Sequence, residues 1–211
     1  MVPGGYTPDI SHGFIAPISR PERMTSIQDH LLQRIDGSIQ AIESVRALLP
    51  ELIRVGTSIF ERMDAGGILY TAGNGGSAAH ALHLAEELIG KYRSERPPLP
   101  AVCLNADPTA LTCIANDFGY DAVFARPCRA LLRRGDILLV CSTSGQSDNL
   151  IEALQVARDN EILTIGLLGN EGGPCRDLCD HPMVIPGDDS AFIQDAHQVL
   201  IHLLCEMAEQ R

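Results

Sequence analysis

Positive charge is scarce in this chain: 16 Lys and Arg stand against 27 Asp and Glu, for a net charge of −11. That is the wrong sign for a surface that must neutralise a nucleic-acid backbone, so no nucleic-acid partner is expected. Apolar runs are short. None approaches the roughly 20 residues that span a bilayer, and the opening MVPGGYTPDISHG lacks the basic start and apolar block of a signal peptide. A cytoplasmic chain without a membrane partner is the expectation. Internal repeats are missing too. The seven cysteines, Cys103, Cys113, Cys128, Cys141, Cys175, Cys179 and Cys205, are odd in number and mostly flanked by apolar residues, which argues against a disulfide framework. Cys175, Cys179 and His181 could offer three ligands to a metal, but no second cysteine pair follows to complete a structural zinc site. Free, shielded thiols are the favoured reading.

What is present is an ordinary globular composition, 45% apolar and 20% charged over 211 residues, enough for one α/β domain with appendages. Residues 1–24 hold four prolines and three glycines without periodicity, which predicts an extended or disordered arm. Residues 25–211 then form a single domain. Ile27, Leu31, Ile35, Ile39, Ile42 and Val45 recur at helical spacing. Leu49-Pro50 interrupts the pattern, and a second helix follows through Leu52, Ile53, Ile59, Phe60 and Met63, so a helical pair is expected. Glycine at Gly66 or Gly67 suits its termination. Short apolar runs at 68–72, 100–104, 137–141, 162–168 and 183–185 alternate with amphipathic stretches. This pattern predicts a three-layer α/β/α sandwich around a five-stranded parallel sheet.

In such sheets ligands bind beyond the carboxyl ends of the strands, which directs attention to two loops. The first, Gly73-Asn74-Gly75-Gly76-Ser77, opens a helix where free amides favour an anion. Its spacing also meets a loose dinucleotide fingerprint, but the acidic residue that should end the next strand is missing, with Asn105 following Leu104. The second, Ser142-Thr143-Ser144-Gly145-Gln146-Ser147, sets four hydroxyls at a strand-to-helix junction. Simple helix capping uses one of them, whereas a phosphate cradle uses all, without needing Lys or Arg. The helix after the first loop carries His83 and Glu87, one turn apart and thus able to share a metal ion or a substrate, with Glu86 beside them. The last helix, capped by Asp188, Asp189 or Ser190, carries Gln194, His197 and His202. Gln194 and His202 lie about 12 Å apart in rise, so they meet one ion only by reaching toward each other or from different protomers. In its apolar run, His202 is equally readable as a core histidine.

These motifs, with Arg96-Pro97-Pro98-Leu99-Pro100, Asn116-Asp117-Phe118-Gly119 and Ile193-Gln194-Asp195-Ala196-His197, resemble the sugar isomerase (SIS) domain, and within it the phosphoheptose isomerases, over residues 25–210. The resemblance implies interconversion of sedoheptulose 7-phosphate and D-glycero-D-manno-heptose 7-phosphate through an enediol. It implies one zinc per chain held by His83, Glu87, Gln194 and His202, and substrate contacts from Asn74, Gly75, Gly76, Asp107, Ser142, Thr143, Ser144, Ser147 and Gln194. It also implies a homotetramer with active sites at subunit boundaries. Glu87 is the expected base and His202 the expected acid. The chain departs from the family pattern at His80, where an acid is usual, and at Lys91 and Phe192, where arginines are usual. The alternatives are isomerisation of another sugar phosphate, or a noncatalytic SIS module that binds a sugar phosphate or a partner protein. Glu87 and His202 weigh against the latter.

Overall fold

The computed structural model describes residues 26–211; the expected arm over 1–24 lies outside the described residues. Leucine- and isoleucine-rich runs form five strands: β1 (Leu69–Gly73), β2 (Ala101–Cys103), β3 (Ile137–Ser142), β4 (Leu163–Gly169) and β5 (His181–Ile185). All pair in parallel, in the order β2-β1-β3-β4-β5. The central strand β3 is buried along its whole length, as a strand covered on both faces must be. Alternation sorts its side chains: Ile137, Leu139 and Cys141 enter one core, Leu138 and Val140 the other. The expected five runs are these strands, displaced by a residue or two at their ends.

The first core is closed by α1 (Ile27–Asp64), α2 (Gly76–Ile89) and α7 (Ser190–Glu209), the second by α4 (Ala122–Leu131) and α5 (Asp148–Asp159). Two shorter helices, α3 (Pro108–Phe118) and α6 (Gly173–Leu178), complete the connections. One expectation needs correction. The N-terminal helical pair is a single helix of 38 residues that runs through Pro50. Proline removes one backbone hydrogen bond and costs about 3 kcal/mol in a helix interior. Burial of Val45, Leu52, Val55 and Ile59 on either side of it offsets that cost, because the helix packs along α7, where Gly56 admits Met207 and Leu204. Ser26 and Asp29 form a reciprocal capping box at its start, and Gly66 ends it at φ +94°.

All seven cysteines are free. Burial pushes the thiols of Cys128, Cys141 and Cys205 up to about 12 and that of Cys175 to about 11, and raises Cys103 and Cys179 as well. Cys175, Cys179 and His181 form no metal cluster: His181 Nδ1 pairs with Glu51 Oε1 at 2.7 Å, tying β5 to α1. Among the described residues, no helix is long and apolar enough to cross a membrane.

Candidate active site

The helices α2 and α7 each grow from the carboxyl end of a strand and lie side by side on the same face of the sheet. Their seam holds the expected catalytic pair, Glu87 and His202, together with His83. On α2, His83 Nε2 stands 3.0 Å from Glu87 Oε1, and both side chains are half-buried. The last turn of α2 is fixed by Arg96, whose guanidinium donates to the carbonyls of Glu87 at 2.6 Å and Leu88 at 2.9 Å. Arg96 thereby satisfies the open carbonyls of the helix end and sets the position of the Glu87 backbone. It is itself paired with Glu209 at 3.4 Å.

On α7, Asp189 caps the first turn through Ala191 N and Phe192 N, and the Arg34 guanidinium beside it holds its carboxyl down at about 2. Gln194, Gln198 and His202 then follow at steps of four, which keeps them along one side of the helix. The His202 and His83 rings meet edge to face with centroids 5.4 Å apart, and Tyr92 covers His202 at the same distance. Gln198 sits between the histidines, its Nε2 lying 3.0 Å from His83 Nδ1 and 2.9 Å from His202 Nε2. Gln198 Oε1 also lies 3.3 Å from His83 Nδ1, so the amide can meet either tautomer of that ring. Sequence reasoning missed Gln198. The one signal that could have found it is its midpoint position between Gln194 and His202.

Gln194 stands apart from this cluster. Its amide packs over Gly76 at the start of α2, so closely that a Cβ on Gly76 would lie 2.5 Å from Nε2. The structure thus brings together His83, Glu87 and His202 and leaves Gln194 at the helix N-terminus. Among the described residues, one group of three or more His, Cys, Asp and Glu side chains brings its ligand atoms within 4.8 Å of one another: His83, Glu86 and Glu87. Imidazole nitrogen beside carboxylate oxygen is a donor set that fits a divalent cation such as zinc.

The core histidine of α7 is His197, which is fully buried and whose Nε2 donates to Leu168 O at 3.1 Å. Burial pushes its imidazole down to about 4. His80 faces it at 6.4 Å, and burial followed by the nearby His83 lowers His80 too.

The two loops meet at the tip of the sheet. Gly145 adopts φ +64° and passes so close to Gly172 O that no side chain would fit, which folds the serine loop against the turn after β4. Ser142 is buried and its Oγ accepts from Gly145 N at 3.0 Å, so this hydroxyl shapes the loop from within. Thr143 Oγ1 meets Ser190 Oγ at 3.1 Å, and Ser144 Oγ accepts from Gln146 N while remaining exposed. Ser147 precedes α5 without using its side chain as a cap. The glycine loop is held by Asn105, whose amide exchanges two hydrogen bonds with the backbone of Gly73, and by Asn74, which engages Asn149. Gly75 and Gly76 are exposed at its crest. Asp107 is exposed and caps α3 through Thr109 N and Ala110 N.

Comparison with known proteins gives a match to the SIS domain over residues 35–169. A phosphoheptose isomerase of Pelobacter propionicus is 44% identical over 165 residues, covering 78% of this chain and 87% of that protein. One of Trichlorobacter lovleyi is 41% identical over 186 residues, covering 87% and 90%. The solved structure of a phosphoheptose isomerase from Francisella tularensis superposes with a TM-score of 0.84 at 35% identity, over 89% of this chain and all of that one.

Proposed function

The chain belongs to the SIS domain family and, within it, to the phosphoheptose isomerases, aldose–ketose isomerases of sedoheptulose 7-phosphate; from that premise we propose how its residues share the reaction. The observation that carries the assignment is the contact of His83 with Glu87, faced across the seam by His202. Ketose-to-aldose conversion moves a proton between C1 and C2 and rearranges protons on the two oxygens. Glu87 carries the carbon-bound proton: His83 holds Oε1, while Oε2 has no hydrogen bond among the described residues and is open to accept. His202 exchanges the oxygen-bound proton, its ring oriented by Gln198 and Tyr92. His83, Glu87 and His202 would hold zinc, one ion per chain, with Gln194 reaching in from the helix N-terminus or from another protomer; the chemistry it supplies when bound is stabilisation of the negative charge developing on the substrate oxygens.

The phosphate is received by the serine loop, where Ser144 is exposed, Thr143 and Ser147 are half-buried and Ser142 supports them from inside. Asn74, Gly75, Gly76 and Asp107 border the same end of the sheet, and Gln194 links it to the seam. The working form is a cytoplasmic homotetramer with sites at subunit boundaries. Its support is the row Ile27, Leu31, Ile35 and Ile39 on α1, each more than half exposed in the single chain and spaced to form one apolar stripe. Incubation with sedoheptulose 7-phosphate, with and without chelator, tests the assignment: the aldose heptose 7-phosphate should accumulate in the untreated sample and fall on chelation. A chain that converts no heptose or pentose phosphate would be a binding module instead.

A further inference from the structure

Asn74 and Asn149 face each other with both amides engaged. Asn74 Nδ2 donates to Asn149 Oδ1 at 2.9 Å and Asn149 Nδ2 donates to Asn74 Oδ1 at 2.9 Å. Asn74 belongs to the glycine loop after β1, whereas Asn149 opens α5 directly behind the serine loop. Their pairing is therefore a bond between the two loops. Asn149 is only 2% exposed, so the clasp is largely withdrawn from water and its loss would strand buried polar atoms. A third group joins from α3–α4: Tyr120 OH donates to Asn74 Oδ1 at 2.9 Å, although the Tyr120 side chain is itself exposed.

Counting donors and acceptors shows what the arrangement decides. A carboxamide oxygen accepts two hydrogen bonds and its nitrogen donates two. Both acceptor positions of Asn74 are taken, by Asn149 and Tyr120, and one of its N–H groups is taken by Asn149. One N–H remains. Asn74 can thus present a donor to a ligand but no acceptor, which suits phosphate and hydroxyl oxygens. An amide turned the other way would offer a carbonyl oxygen and repel an anion.

We propose that Asn149 and Tyr120 are positioning residues for phosphate recognition, clasping Asn74 so that its donor alone is free and the glycine and serine loops form one cradle. The inference rests on the phosphate-cradle reading above. Inorganic phosphate and sedoheptulose 7-phosphate are titrated calorimetrically into the full chain and into Tyr120→Phe, Asn149→Leu, Asn74→Ala and the Asn74→Ala/Asn149→Leu pair, with KM, kcat and thermal unfolding measured on each. Tyr120→Phe, at an exposed site, keeps the fold; it should weaken phosphate binding about 2- to 10-fold, as the loss of one hydrogen bond does. Asn149→Leu should weaken it further and raise KM by a larger factor than it lowers kcat. Once Asn74 is alanine, Asn149→Leu should cost no additional affinity. Unchanged phosphate affinity in the folded Tyr120→Phe and Asn149→Leu proteins, or fully additive losses in the pair, would overturn the clasp alone. A wild-type chain that binds neither ligand would overturn the cradle itself.

Discussion

The ring of Phe192 occupies the space that a side chain at Gly37 would need: a Cβ there would lie 2.3 Å from Cε2 and 2.4 Å from Cζ. The Arg34 guanidinium stacks on the same ring at 4.0 Å and pairs with Asp189, the cap of α7. A glycine in mid-helix costs about 1 kcal/mol relative to alanine, yet here it lets α1 close on the first turn of α7.

Gly37→Ala should lower stability. The methyl gains up to about 1 kcal/mol of helix propensity but overpacks the ring contact, which typically costs about 1–3 kcal/mol. The net loss appears as a fall in Tm, and the Gly37→Ala/Phe192→Leu double variant should recover most of it. A single variant as stable as wild type would mean that the ring moves aside freely.

Stability should fall with acid through His197. Its buried imidazole titrates near 4, below the value of about 6.5 expected in the unfolded chain. The unfolded state therefore binds the extra proton between these values. The contribution is complete above pH 6.5 and declines by about 1.4 kcal/mol per unit as pH falls toward 4. Urea unfolding at a series of pH values reads the slope, and His197→Gln should flatten it.

Glu87→Gln preserves size while removing the charge that accepts a proton. Turnover should drop by a factor on the order of 10² to 10⁴, and His202→Asn should do comparable damage. Metal content is measured beside rate. Undiminished turnover in Glu87→Gln with normal metal would shift the base to Glu86, which shares the same tight group.

At the serine loop, Ser144→Ala and Thr143→Ala should raise KM more than they lower kcat, because phosphate contacts are equal in ground and transition states. Ser142→Ala acts differently. It removes the acceptor for Gly145 N and should loosen the loop, lowering Tm as well as affinity.

Light scattering should give the mass of four chains. Leu31→Glu/Ile35→Glu, placing charge on the exposed stripe of α1, should reduce that mass. A wild-type monomer at micromolar concentration would remove every shared site from the mechanism.

Much of this architecture is legible in the sequence because buried parallel strands read as apolar runs, and these are continuous in the chain. The break at Pro50 was expected for an equally local reason, and it fails because packing along α7, more than 140 residues away in sequence, outweighs one lost hydrogen bond. Gln198 stayed hidden because a glutamine on a helix looks solvated until the facing helix brings His83 against it, opposite the His202 of its own helix. His197 and His202 look alike in a string of letters. Only the sheet behind α7 separates a histidine bonded to Leu168 O from one turned toward His83. The four hydroxyls of the serine loop likewise differ in burial, Ser142 being buried within the loop, Thr143 and Ser147 half-buried and Ser144 exposed.

The thiols described above also have a practical side. Burial keeps six of them protonated and shielded, whereas Cys113 lies exposed on α3 beside Asp117. Maleimide or nitroxide reagents need an accessible thiol, so the unmodified chain offers one exposed attachment point. That point sits on the element leading directly into Tyr120. A fluorophore there would report on the loop that reaches over the glycine turn without any engineered cysteine.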